Sequence, residues 1–422
     1  MSDPIFTKYE FMSCPLGSMV SIDPETVSPG TNPSFEFRYV DISCVANGRL
    51  QLPDTPTTYA EAPSRARRIV KSGDVLMSTV RPNLKAFAYC NLPEGSYVAS
   101  TGFAVLRAVE GNDSRYILYC ILSDNVTRQI DSYVVGSNYP AINSSDVKRL
   151  RIPDWNPSQQ RRIAEILSTV DEAIEQTEAL IAKYQQIKAG LMRDLFTRGL
   201  TPDGHLRPTH AQAPQLYKDS PLGWIPKEWE CSPIGELFTR RAERGKAGLP
   251  VMSITMSGGL VERDSVDRRV ESNLLPEGHL LVRRGDIAYN MMRMWQGVLG
   301  RAEYDCLVSP AYIVMTPGSN IESVFAEYIL STESAIAWFK RLSYGVVDDR
   351  LRLYFRDLVR IRLTIPRSLP EQRAISKRLQ SLESSIQQTA IYLAKLRQQK
   401  HGLMQDLLTG RVRVKVAEPA ST

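Results

Sequence analysis

Gln160–Thr197 reads QRRIAEILSTVDEAIEQTEALIAKYQQIKAGLMRDLFT, and Gln372–Thr409 reads QRAISKRLQSLESSIQQTAIYLAKLRQQKHGLMQDLLT. The second stretch follows the first at a constant offset of 212 with no gap, and roughly half of the positions are identical. Both carry a seam at alternating spacings of four and three. In the first copy it runs Ile163, Leu167, Val170, Ile174, Thr177, Ile181, Tyr184, Lys188, Leu191, Leu195. In the second it runs Ile375, Leu379, Leu382, Ile386, Thr389, Leu393, Leu396, Lys400, Leu403, Leu407. Such a stripe is too narrow for a lone helix to bury, but a partner helix covers it, so two long helices packing together as a coiled coil are expected. The Thr and Lys at equivalent seam positions cost stability and help to set register. Pro157 and Pro370 sit where a helix N-terminus tolerates proline.

Moving outward, the offset persists. Gly73-Asp74-Val75 matches Gly285-Asp286-Ile287, Arg81 matches Arg293, and Leu150–Pro153 matches Leu363–Pro366 with a small shift. The chain therefore reads as domain, helix, domain, helix. Residues 1–155 form a first domain, 156–200 a first helix, 201–366 a linker and second domain, 367–415 a second helix, and 416–422 a disordered tail. Within each domain, β-rich runs such as Ser96–Ala108 and Leu307–Met315 alternate with turns. One helical candidate follows in each, Tyr116–Tyr133 and Ile321–Leu342. The expected fold class is two tandem mixed α/β domains with internal pseudo-two-fold symmetry. A helix of about forty residues spans roughly 60 Å, and DNA advances roughly 34 Å per turn. That geometry suits two half-sites separated by an unread gap.

Composition is that of an ordinary soluble protein, and no run of about eighteen apolar residues suggests a membrane span. The opening residues lack a secretory pattern, so a cytoplasmic protein is expected. The six cysteines form no C-x-x-C pair and lie far from the four histidines. They read as free thiols, with no metal site. Net charge is +6, and it is unevenly placed. Residues 1–155 carry 15 Lys+Arg against 16 Asp+Glu, 200–366 carry 21 against 20, and 367–422 carry 10 against 4. The excess sits in the last helix and tail, so charge alone does not mark the two domains as nucleic-acid binders.

The sequence resembles the specificity subunits of type I restriction–modification systems over essentially its full length. The resemblance rests on the duplicated layout, the helix starts Gln160-Arg161 and Gln372-Arg373, the Thr177-Glu178-Ala179-Leu180 stretch and the Gly-Leu-Met helix ends. It rests also on Asp219–Trp229, which leads into the second domain. It implies a non-catalytic subunit whose two recognition domains each read one half of a split site in double-stranded DNA. It implies helices that form an antiparallel coiled coil and dock two modification subunits, which bind S-adenosylmethionine and methylate adenine; restriction subunits, which use ATP, would join for cleavage. No cofactor is expected in this chain.

Base readout favours arginine on guanine and asparagine or glutamine on adenine. The candidates are Arg81, Asn83 and Lys85 in the first domain, with Arg293, Trp295 and Gln296 at the equivalent place in the second. A further pair of loops precedes the helices, with Ser137, Asn138 and Tyr139 in one and Arg350 and Arg352 in the other. Arg65, Arg67, Arg68, Arg240, Arg241, Arg244 and Lys246 are candidates for holding phosphates. The repeated Gly-Asp reads as a turn. A DNA-modifying enzyme is disfavoured, because the nearest approach to an amino-methyltransferase loop, Asn156-Pro157-Ser158-Gln159, lacks the second proline and the aromatic. A phosphate-binding loop would need glycine where Arg240 stands. Asp146-Val147-Lys148 has the local spacing of a metal nuclease but no acidic partner upstream. A pure scaffold without DNA contact is the other reading.

Overall fold

A computed structural model describes residues 13–46, 48–134, 140–256, 258–265, 274–345 and 351–415; the tail 416–422 lies outside them. The chain divides into two compact units, 1–179 with 391–422, and 180–390. Each long helix, Pro157–Thr197 and Leu369–Leu408, contributes one half to each unit.

The first unit holds two four-stranded sheets. One is antiparallel, in the order Val20–Ile22, Phe103–Ala108, Val75–Ser78, Phe87–Tyr89. The other runs Thr57–Thr58, Glu36–Val40, Tyr97–Ser100, Ala66–Ile69, with its central pair parallel. The β-rich run Ser96–Ala108 is broken at Thr101-Gly102 and supplies one strand to each sheet. Side-chain alternation then builds two cores on the two faces of one sheet. Val75, Met77, Ala104 and Leu106 enter the core beside the helices, while Leu76, Phe103 and Val105 enter the core on the other face.

The second unit repeats this plan. Its sheets run Phe238–Arg241, Tyr312–Pro317, Ile287–Asn290, Leu299–Arg301, and Gly259–Glu262, Val251–Thr255, Cys306–Val308, Leu280–Val282. Each unit is closed by a short antiparallel pair that leads into a long helix, Ser13–Pro15 with Arg151–Pro153 and Trp229–Pro233 with Arg362–Pro366. The single helix expected in each domain is two. Ser114–Leu122 and Asp124–Tyr133 are separated at Ser123, and Ser323–Leu330 and Glu333–Leu342 at Ser331-Thr332. Ser123 and Thr332 adopt extended backbone, and their hydroxyls cap the next helix by accepting from Val126 N and Ala335 N. A hydroxyl that can cap outcompetes helix continuation.

Within the first unit, Ile163 and Leu167 from the start of one long helix share a core with Leu407 and Leu408 from the end of the other. Within the second, Leu195 and Phe196 meet Ile375 and Leu379. The pairing is antiparallel in both. Every apolar seam residue is buried or half-buried, whereas Leu180, Ile187, Ile391 and Tyr392, which lie off the seam, are exposed.

The seam lysines have defined partners. Lys188 pairs with Glu383 at 2.5 Å and Lys400 with Asp171 at 2.6 Å. Positions 171 and 383 differ by the repeat offset, as do 188 and 400. Tyr119 donates to Asp171 at 2.8 Å and Tyr328 to Glu383 at 2.5 Å. Burial raises both phenols, and the adjacent carboxylate raises them further, so they stay neutral donors. The helix starts are anchored alike. Buried Gln160 accepts from Asp113 N at 3.0 Å and donates to Trp155 O at 2.7 Å; buried Gln372 accepts from Glu322 N at 2.8 Å and donates to Pro366 O at 2.8 Å. Asp113 and Glu322 in turn cap the first short helix of their own units. The repeated Gln thus joins each long helix to its domain. Among the described residues, no helix is long and apolar enough to cross a membrane.

Candidate nucleic-acid interface

The central strands Val75–Ser78 and Ile287–Asn290 are pinned at their starts. Gly73 (φ 93°) and Gly285 (φ 89°) make left-handed turns. The carboxylates of Asp74 and Asp286 accept from Lys71 N and Arg283 N at 2.8 and 3.0 Å. Both carboxylates are buried, and each takes an arginine. Arg107 binds Asp74 through two bonds of 2.8 Å, and Arg241 binds Asp286 at 2.5 and 3.3 Å. These bonds raise both guanidinium pKa values and keep them charged. The Gly-Asp pair is a turn reinforced by an ion pair.

At their far ends the same strands open into the candidate loops. In the first unit a one-turn helix, Pro82–Leu84, is flanked by Arg81 (φ 49°) and Lys85 (φ 51°), both left-handed. Only one other described non-glycine residue, Asp23, has positive φ. Such backbone is disfavoured for residues with a Cβ, and it turns the tip outward. Arg81 and Asn83 are exposed, and Leu84 is 68% exposed. Lys85 instead donates to Leu122 O at 3.1 Å. The equivalent turn in the second unit is Met294–Gln296, with Gly297 (φ 80°) where the first has Lys85. Met292 and Arg293 are exposed there, and Trp295 and Gln296 are half-buried. The Trp295 indole donates to Met292 O at 3.1 Å and stiffens the loop.

The fold brings the segment that follows the second predicted loop of each domain to the base of the first. Arg81 N donates to Pro140 O at 2.7 Å and Ile142 N to Thr79 O at 3.0 Å, so the segment following Gly136–Tyr139 lies along the base of the first loop. In the second unit Leu353 N donates to Met291 O at 2.9 Å. Thr79 and Met291 are themselves repeat equivalents. Ser137, Asn138, Tyr139 and Arg350 lie outside the described residues. Arg352 is exposed and pairs through its backbone with Tyr344 at 3.0 and 3.2 Å.

Beside Arg352 is a group that sequence reasoning missed. Tyr344 and Tyr354 have ring centroids 5.4 Å apart, and Arg356 lies over Tyr354 while donating to the Tyr344 hydroxyl at 2.8 Å. Aromatic faces with a guanidinium suit stacking and phosphate contact. Tyr344 and Tyr354 are ten residues apart, so no periodic signal linked them. Two of the proposed phosphate holders have other roles. Arg68 lies half-buried against Asp23, and Arg241 is held by Asp286. Arg67 bonds the Tyr59 hydroxyl at 2.5 Å, while Arg65, Arg240, Arg244 and Lys246 are exposed. Asp146 of the weighed nuclease spacing completes a capping box with Asn143.

Residues 36–186 match the family model described as the type I restriction modification DNA specificity domain. The type I restriction enzyme MjaVIII specificity subunit of Methanocaldococcus jannaschii is 25% identical over 322 residues, covering 72% of this chain and 71% of that protein. The putative MjaX specificity subunit of the same organism is 25% identical over 357 residues, covering 81% and 79%. Among solved structures, a chain reported for complex assembly and conformational transition of the type I R-M system superposes with a TM-score of 0.59 at 22% identity, over 96% of this chain and all of that one. The type I restriction-modification S subunit from M. genitalium gives 0.55 at 15% identity, over 97% and 99%.

Proposed function

We propose, since this chain belongs to the family of type I restriction–modification specificity subunits, that it reads a split DNA target and brings modification and restriction subunits to it. It works without a catalytic centre of its own. Each unit reads one half-site with its paired loops, around Arg81 and Asn83 in the first and Arg293 and Gln296 in the second. The observation that carries this reading is the coincidence of architecture and repeat. In both units an exposed arginine at the same repeat position stands on a loop braced by the segment before the long helix. Two modification subunits dock on the helices and supply S-adenosylmethionine and adenine methylation; restriction subunits supply ATP-driven cleavage. The complex acts in the cytoplasm, on the genome.

The test is to co-express the chain with the modification subunit of its own locus and map adenine methylation by single-molecule sequencing. The expected motif has two half-sites and a fixed gap. Arg81→Ala then relaxes one half and Arg293→Ala the other, each by about 1–3 kcal/mol of discrimination at one base pair. A single continuous motif, or methylation indifferent to deleting this chain, overturns the reading and favours a scaffold.

A further inference from the structure

The whole chain's positive excess lies in its last segment, and the fold carries that segment's end back to the first unit. An open groove of about 470 Å³ runs between the helix Asp124–Tyr133 and the last turns of the second long helix. Its walls bring together Lys85, Arg128, His401 and Arg411, with Asp124 as the lone carboxylate. That carboxylate already has His401 at 3.8 Å and Lys85 at 4.0 Å. Arg128 and Arg411 are exposed, with no hydrogen-bond or ion-pair partner among the described residues. Past Arg411 the tail is exposed at Val412. Val414 packs against the unit's core, and Arg413 and Lys415 are exposed.

The internal repeat supplies a control. At the equivalent positions of the second unit, Lys85 is replaced by Gly297, His401 by Ala189, and Arg128, counted from the helix cap, by Ala337. These basic side chains are therefore not required by the shared fold, and at these positions they occur in one copy only. Lys85 also closes the readout turn Pro82–Leu84, so the groove is continuous with the loop that carries Arg81 and Asn83.

We propose that this groove and the tail Arg411–Lys415 form a one-sided clamp for the DNA phosphate backbone beside the half-site read by the first unit. The inference rests on the function proposed above and adds a site that reads no bases. An open channel that holds the unpartnered, exposed Arg128 and Arg411, with Lys85 beside them, suits a polyanion running along it.

The test uses the complex with modification subunits and two duplexes, one bearing the methylated motif and one unrelated. Affinity is measured by fluorescence anisotropy across a salt series for the wild type and for the triple variant Arg411→Gln, Arg413→Gln, Lys415→Gln. Each lost phosphate contact removes roughly 0.9 from the slope of log K against log salt. The triple variant is expected to flatten the slope by about 2 to 3 and to weaken both duplexes by the same factor. Arg128→Gln is expected to flatten it by about 1. Unchanged slopes alongside normal wild-type binding overturn the clamp and leave the proposed function standing. A variant that fails to take up modification subunits, by native mass, overturns the clamp in favour of a protein contact. Absence of duplex affinity in the wild-type complex overturns both.

Discussion

Lys85 shows how one residue carries two demands. Its backbone is left-handed (φ 51°), and the repeat places Gly297 at the same turn with φ 80°. A glycine there relieves the Cβ conflict while adding unfolded-state entropy, and the two effects nearly cancel. Lys85→Gly is therefore expected to leave stability within about 1 kcal/mol of wild type. Lys85→Val, β-branched in a left-handed turn, is expected to lose about 2 kcal/mol. Chemical denaturation of the two variants checks this, and equal losses would remove the strain argument. The sequence marked this turn through its arginine, but the left-handed backbone became visible only in the fold. The cysteines are a simpler case. All six are free thiols, and burial raises Cys120 to about 12 and Cys306 to about 11.

At the scale of elements, the seam lysines set register. Each ion pair is half-exposed and worth only about 0.2–1 kcal/mol. A slip of one helix turn would nevertheless break Lys188–Glu383 and Lys400–Asp171 together and strand Tyr119 and Tyr328. Lys400→Glu sets two carboxylates against each other and is expected to cost about 1–2 kcal/mol. Adding Asp171→Lys should recover most of that loss. A double-mutant cycle read by thermal unfolding decides, and additive losses would mean that the pair does not define register. Heptad spacing made the helices legible, because a 3.5-residue repeat has one efficient burial. The split of the shorter helices at Ser123 and Thr332 was not legible, since apolar periodicity continues across both caps.

At the scale of the molecule, residues far apart in sequence complete one core. Leu407 is 4% exposed among residues of the first unit. Leu407→Ala is expected to cost about 2–4 kcal/mol. Hydrogen exchange should rise in the strands between residues 13 and 153 while those between 229 and 366 stay protected. Equal deprotection of both sets would show that the two units unfold as one. The same return of the C-terminal segment places cations beside the first unit, which no segment-by-segment charge count reveals.

The duplication, the two long helices and their seam are legible along the chain, because they depend on local periodicity and on a repeat that needs no contacts to be seen. The sequence also marked Arg81 and Arg293 as equivalent. It took long-range contacts to show that Thr79–Arg81 pairs with Pro140–Ile142, that Arg68 and Arg241 serve the fold, and that the basic tail adjoins the Arg81 loop. Those outcomes follow from long-range pairing and from which cations find a buried carboxylate. Neither is encoded in spacing along the chain.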